Sequence, residues 1–115
     1  MLQLMKQLFS FAPQGPLIGM NFTIGEPSVH ASRCDALARM VRHLKLTGWM
    51  QNTNPLYIEL EVYGPSQVIT ELIRQMDHGS IFNRSPKYEM KRLPYRSNYS
   101  TFHYAAFDAR TARRS

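Results

Sequence analysis

Tyr57-Ile58-Glu59-Leu60-Glu61-Val62-Tyr63-Gly64-Pro65 is the stretch on which the fold turns. Ile58, Leu60 and Val62 alternate with Tyr57, Glu59, Glu61 and Tyr63, the period of a strand with the first row inward and the second outward. Gly64-Pro65 breaks that period and opens a helix, with proline suited to its first turn. Val68, Ile69, Leu72, Ile73 and Met76 form the helix's apolar face, and Gly79 is a natural terminator.

The same logic extends outward. Thr47 to Asn52 reads as a short strand and Thr53-Asn54-Pro55 as a turn. Ahead of them, Ser32 and Asp35 fit a helix start with Ser32 as N-cap. Ala36, Leu37, Met40, Val41 and Leu44 give that helix a face with the same relative spacing as the second. Arg39, Arg42, His43 and Lys45 lie off it, and the later bases suit the C-terminal dipole. Leu17 to Ile24 alternates strictly, with Ile18, Met20, Phe22 and Ile24 on one side. Gly25-Glu26-Pro27-Ser28 ends it. Downstream, Lys87 to Leu93 is expected as a strand with Tyr88 and Met90 inward, and Thr101 to Phe107 as a short last strand. Two helices with one apolar stripe each must cover one sheet face, which gives a two-layer α+β sandwich. We expect one domain over residues 17–107, an extension and linker over 1–16, and a basic tail over 108–115.

A length of 115 residues suits a single domain, and 43% hydrophobic residues exclude a wholly disordered chain. Cys34 is the only cysteine, which excludes an internal disulfide and fits a reducing, intracellular compartment. The net charge is +6, and three of the fourteen basic residues, Arg110, Arg113 and Arg114, stand in the last six positions. Such a tail suits RNA, anionic lipid or an acidic protein surface. The opening MLQLMKQLFSF is about half the length of a membrane span, so no transmembrane segment is expected. Its lack of acidic residues leaves a mitochondrial address as an alternative, although it also lacks the arginines of such leaders. Leu4, Leu8 and Phe11 at helical spacing fit a short docking helix.

At Leu44-Lys45-Leu46-Thr47-Gly48-Trp49-Met50-Gln51-Asn52 the sequence resembles acylphosphatases, which carry L-G-L-x-G-W-V-x-N between the first helix and second strand. Ile58 to Pro65 resembles the family's third strand and the glycine-proline before its second helix. Tyr99-Ser100-Thr101-Phe102-His103-Tyr104 resembles the Y-S-x-F-x-I near its end. The resemblance covers about Met20 to Tyr104. It implies a ferredoxin-like βαββαβ sandwich, an antiparallel sheet with two helices on one face. It also implies hydrolysis of acyl phosphates without metal or cofactor. In that family a loop G-x-V-Q-G-V-G-F-R holds the phosphoryl group with its amides and arginine, and the asparagine of G-W-V-x-N orients the attacking water. The chemistry is one of positioning and charge stabilisation. Arg33 and Asn52 are the candidate catalytic residues on this resemblance.

The loop departs from the family form. Gly25-Glu26-Pro27-Ser28-Val29-His30-Ala31-Ser32-Arg33 keeps the flanking glycine and the arginine, but Val29 and Ala31 replace both inner glycines. A Cβ at each place disfavours positive φ and close backbone approach to a phosphate. Pro27 removes an amide, and Glu26 adds a negative charge. Counting back from Asn52 by the family spacing reaches Cys34, so Arg33 fits the loop count and misses the helix count by one residue, about 100° of rotation.

His30, His43, His78 and His103 show no metal-site spacing, and one cysteine cannot make a thiolate cage. Cys34 beside Arg33 near a helix start is either an activated thiol or a small buried residue. Glu59 and Glu61 between Tyr57 and Tyr63 oppose RNA on the sheet face. Arg84, Lys87, Lys91, Arg92 and Arg96, interleaved with Tyr88, Tyr95 and Tyr99, make a better basic-aromatic patch, and lysines on an edge strand also guard against aggregation. The sequence therefore reads as a non-catalytic acylphosphatase-like domain, an accessory or structural subunit with protein partners in a larger assembly. The alternative is an active acylphosphatase using Arg33 and Asn52. The second alternative is an RNA- or ribonucleoprotein-binding module using the basic C-terminal half.

Overall fold

The structure, a computed structural model, describes residues 15–25, 31–54, 57–79, 81 and 87–105. In chain order the elements are β1 (Leu17–Gly25), α1 (Ala31–His43), β2 (Thr47–Asn54), β3 (Tyr57–Pro65), α2 (Ser66–Asp77), β4 (Tyr88–Leu93) and β5 (Phe102–Ala105). They form a two-layer α+β sandwich of the ferredoxin-like kind. The sheet order is β4-β1-β3-β2-β5. The first four strands pair antiparallel, and β5 adds parallel to β2, which makes the whole sheet mixed.

The alternating rows explain which face is covered. Ile18, Phe22 and Ile24 of β1 and Ile58, Leu60 and Val62 of β3 turn inward, where Leu37 and Val41 of α1 and Ile69, Leu72 and Met76 of α2 meet them. α1 lies over β2 and β5, and α2 over β3 and β1. Burying side chains of this size is worth about 1.5–3 kcal/mol each, which makes this row pairing the main stabilising term. Among the described residues, no helix is long and apolar enough to cross a membrane.

The turn from α1 into β2 is a Schellman closure. Lys45 N–H bonds the Arg42 carbonyl at 3.0 Å and Leu46 N–H bonds the Val41 carbonyl at 3.2 Å. Lys45 takes the left-handed position at φ 59, and Leu46 drops into the core. Gly48 follows at φ 128, and a Cβ there would lie 2.0 Å from the Glu61 carbonyl oxygen, so β2 reaches β3 only with glycine at this place.

Several boundaries and orientations differ from the sequence expectation. α1 starts at Ala31, which puts Ser32 inside the first turn. β2 runs through Asn54, absorbing the expected turn residues by a register shift between Asn52 and Asn54. Pro65 caps α2 from extended backbone (φ −62, ψ 138) with no side-chain cap, so the helix proper begins at Ser66. Met90, expected inward, is 50% exposed. It pairs with Phe22 on the helix side, but it stands on the edge strand, beyond the strands that α2 covers. Ala106 and Phe107, the expected end of the last strand, lie outside the described residues.

Tyr63 is the largest departure. Its outward row was expected to face solvent, yet Tyr63 is 1% exposed. The link between β4 and β5, residues 94–101, must cross three strands, roughly 19 Å at ordinary strand spacing. Residues 93 to 102 can reach about 30 Å, so the link is long enough to cross with slack to spare. It does so over the face away from the helices, where Tyr99 stacks on Tyr63 at 5.4 Å and Tyr95 meets it edge-on at 6.3 Å. Gly19 leaves the space for the Tyr63 ring, since a Cβ there would lie 2.6 Å from it.

Candidate functional site

The first turns of α1 and the far end of β2 bring the candidate residues into one region. Arg33 is the third residue of α1, Cys34 the fourth, and Asn52 lies on β2 opposite Ile58 of β3. Arg33 directs Nη1 to the carbonyl of Ile81 at 3.4 Å. The Cys34 thiol donates to Asn52 Oδ1 at 3.4 Å. The Tyr104 hydroxyl, from β5 alongside β2, bonds the same sulfur. Of the two candidates, Asn52 is thus joined to the residue that follows Arg33.

This cluster is apolar at its centre. Cys34 is fully buried. Burial pushes its thiol above the ordinary value, outweighing the lowering by the Tyr104 and Asn52 hydrogen bonds. Burial and the bond to Cys34 also push the Tyr104 hydroxyl up. At neutral pH the three groups are therefore a thiol, a phenol and an amide, none charged. The thiol is a packed residue here, and the activated-thiol alternative finds no support. The family spacing counted back from Asn52 is the sequence signal that leads to Cys34.

Residues 26–30, the middle of the degenerate loop, lie outside the described residues. The described ends are Gly25, whose N–H bonds the Lys87 carbonyl at 2.9 Å, and the helical backbone from Ala31.

On the opposite face, the G-W pair of the motif serves structure. Trp49 Nε1 donates to Glu61 Oε2 at 3.2 Å, Asn21 Nδ2 donates to Oε1 at 3.1 Å, and the Tyr63 hydroxyl donates to Oε2 at 2.5 Å. Glu61 is thus an anchor for three strands, and nothing in its pattern in the sequence distinguishes it from Glu59. Burial, then the bond to Glu61, pushes the Tyr63 hydroxyl up to about 12. Tyr88 donates to Asp77 Oδ1 at 2.7 Å, and burial with that bond pushes it up to about 12 as well. Tyr63, Tyr88 and Tyr99 thus face the protein, while Lys87, Lys91, Arg92 and Arg96 are exposed.

Among the described residues, no group of three or more His, Cys, Asp or Glu could hold a metal ion. His78 Nδ1 sits 2.7 Å from the Arg74 carbonyl, and His103 Nε2 sits 3.2 Å from Thr101 Oγ1. His30 and Arg84 lie outside the described residues.

No protein-family model matches the chain. An acylphosphatase from Bacillus pumilus (strain SAFR-032) is 30% identical over 57 residues, half of this chain and 63% of that protein. The chain thus matches a little under two thirds of that relative's length. Among solved structures, an acylphosphatase from Coxiella burnetii superposes with a TM-score of 0.62 at 18% identity, over 77% of this chain and 93% of that one. An acylphosphatase from Bacillus subtilis gives 0.59 at 16% identity, over 78% and 99%. HypF from T. kodakarensis gives 0.62 at 15% identity, over 79% of this chain but 12% of that much longer one. At these identities the superpositions speak for the fold, and the Bacillus pumilus relative speaks for the sequence. The chain is thus similar to acylphosphatases in sequence over that stretch, and its fold is the one that the acylphosphatase structures share.

Proposed function

We propose that this chain is a non-catalytic acylphosphatase-like domain that serves as an accessory or structural subunit of a larger assembly. The observation that supports it best is the Cys34–Asn52 contact. The asparagine that would orient water in an active relative has its side-chain oxygen engaged by a thiol. That thiol occupies the helix place to which the family spacing assigns arginine. A buried neutral thiol offers no positive charge to a phosphoryl group, and charge stabilisation is most of that chemistry. The loop substitutions at Val29 and Ala31 point the same way. The HypF superposition supports the accessory role by analogy, since this fold matches a small part of that larger chain.

The test is hydrolysis of benzoyl phosphate by the purified chain. The expected result is no turnover above the uncatalysed rate, and no shift of the backbone amides of residues 31–36 on addition of inorganic phosphate. Turnover abolished by Arg33→Ala and by Asn52→Ala would establish the second reading, a working acylphosphatase. That reading is favoured by the named activity of the Bacillus pumilus relative and by the presence of Asn52.

A further inference from the structure

We infer that the uncovered half of the sheet face away from the helices is a docking surface for this chain's own segment 106–115, whose arginines it receives. That face has two halves. Segment 94–101 covers the half around Tyr63, where Tyr95 and Tyr99 pack on its ring. The other half is open to solvent. Thr23 and Gln51 are exposed there, and Tyr57 is 45% exposed. Glu59 stands at its centre on β3, with Thr23 beside it on β1 and Gln51 beside it on β2. Along β3 its neighbours on the same face are Tyr57 and Glu61, each about 7 Å away.

Charge and ring chemistry set what fits this surface. Among the described residues, Glu59 makes no hydrogen bond or ion pair. None of its four neighbours on the face is a cation, although an opposite charge across a strand pair is the ordinary compensation. Glu89 differs, because Lys87 and Lys91 stand two residues to either side of it. Arg96 favours the ionised form of the Tyr63 hydroxyl, which places it with the covered half. Trp49, half-buried, lies opposite Glu61 and diagonal to Glu59. A carboxylate between the rings of Tyr57 and Trp49 suits a guanidinium, which pairs with the first and stacks on the others.

The topology brings such groups to the rim. Ala105, the last residue of β5, pairs with Gln51, and Gln51 pairs with Glu59, so the chain leaves the sheet about 10 Å from Glu59. Segment 106–115 follows, with Arg110, Arg113 and Arg114 against Asp108 alone, and it lies outside the described residues. Arg110 is five residues past Ala105, a reach of about 16 Å, which spans the gap to Glu59. The tether gives the segment an effective concentration of about millimolar, so weak contacts suffice. RNA does not suit this surface, because two carboxylates would meet its phosphates. While docked, the arginines are withheld from other anionic partners.

The experiment compares amide NMR spectra of the full chain at low salt with those of a variant carrying Arg110→Gln, Arg113→Gln and Arg114→Gln. The proposal expects shifts at Gln51, Tyr57, Glu59 and the Trp49 indole, with β4 and α2 unmoved. A synthetic peptide of residues 106–115, added to the arginine-free variant, should move the same resonances, and Glu59→Gln should weaken it by about threefold or more. In the full chain Glu59→Gln should reproduce the arginine-free pattern, and the three arginine changes should then add nothing. Raising salt to about 0.5 M should also reproduce that pattern, which serves as the test should Glu59→Gln fail to fold. The idea is overturned if the arginine changes leave Trp49, Tyr57 and Glu59 where they were, or if Glu59→Gln leaves peptide binding intact. It is also overturned if the shifts fade on dilution together with a dimer seen by sizing, which assigns the face to a second copy's segment. Shifts that appear only with an oligouridylate present overturn it as well, and assign the segment to RNA. None of these outcomes depends on whether benzoyl phosphate is hydrolysed.

Discussion

Lys45 holds a left-handed backbone conformation at the end of α1, where the Schellman closure calls for glycine. The acylphosphatase motif has glycine at that place. A side chain there carries roughly 1 kcal/mol of conformational strain. Glycine would relieve it and lose part of the gain to its freer unfolded state. Lys45→Gly should therefore stabilise the protein by about 0.5 kcal/mol, seen as a higher urea midpoint at unchanged slope. Gly48 is the opposite case. Its Cβ would collide with the Glu61 backbone rather than with a flexible side chain tip. Gly48→Ala should cost about 3 kcal/mol or more, and a loss below 1 kcal/mol would show that β2 can move away from β3. Cys34, buried and held protonated, should resist modification by a disulfide reagent until the protein unfolds. Fast labelling of the native chain would return the thiol to the list of reactive groups.

Among the elements, the crossing segment 94–101 is the part that periodicity could not reveal. β1 and β3 were legible because each alternates and each buries one row. α1 and α2 were legible because their stripes match. The segment has no period of its own, and its tyrosines pack onto Tyr63, about 30 residues earlier, through a space opened by Gly19 on a third element. A glycine inside an alternating strand was the available hint that something approaches closely. At the candidate site, Arg33 and Asn52 could be named from motif spacing, but the one-residue conflict between the loop and helix counts is decided by how the helix is seated, which local sequence does not encode. The seating places Cys34 against Asn52. The crossing segment also carries two predictions. Glu61→Ala removes the acceptor shared by Asn21, Trp49 and Tyr63, and should cost about 2–3 kcal/mol given charged but partly exposed hydrogen bonds. Glu61→Gln should cost less, since it keeps an acceptor. Tyr63 gives a pH signature. Its folded pKa is raised to about 12, so between pH 10 and 12 the folded state keeps a proton that the unfolded chain has lost. Its contribution is fully present below about pH 10 and is lost as pH rises toward 12. Tyr88 acts in the same direction. Unfolding free energy should therefore fall over that window, and Tyr63→Phe should flatten the fall.

At the scale of the whole molecule, the order β4-β1-β3-β2-β5 ranks the strands by how they can open. β1 and β3 are each paired on both sides, and they are joined in register from Leu17↔Pro65 to Gly25↔Tyr57, so neither can leave without breaking two ladders and the core beneath. β5 is four residues long and, among the described strands, pairs with β2 alone, as β4 pairs with β1 alone. Local opening draws on the elements with the fewest buried contacts. Native-state hydrogen exchange should place the amides of β1 and β3 at the free energy of global unfolding, with those of β5 and β4 exchanging well below it. Equal protection of β5 and β3 would mean that the crossing segment 94–101 locks both edges into one cooperative unit. In that case Glu61→Ala, which loosens the Tyr63 anchor under the segment, should release β5 selectively and leave β1 at the global limit.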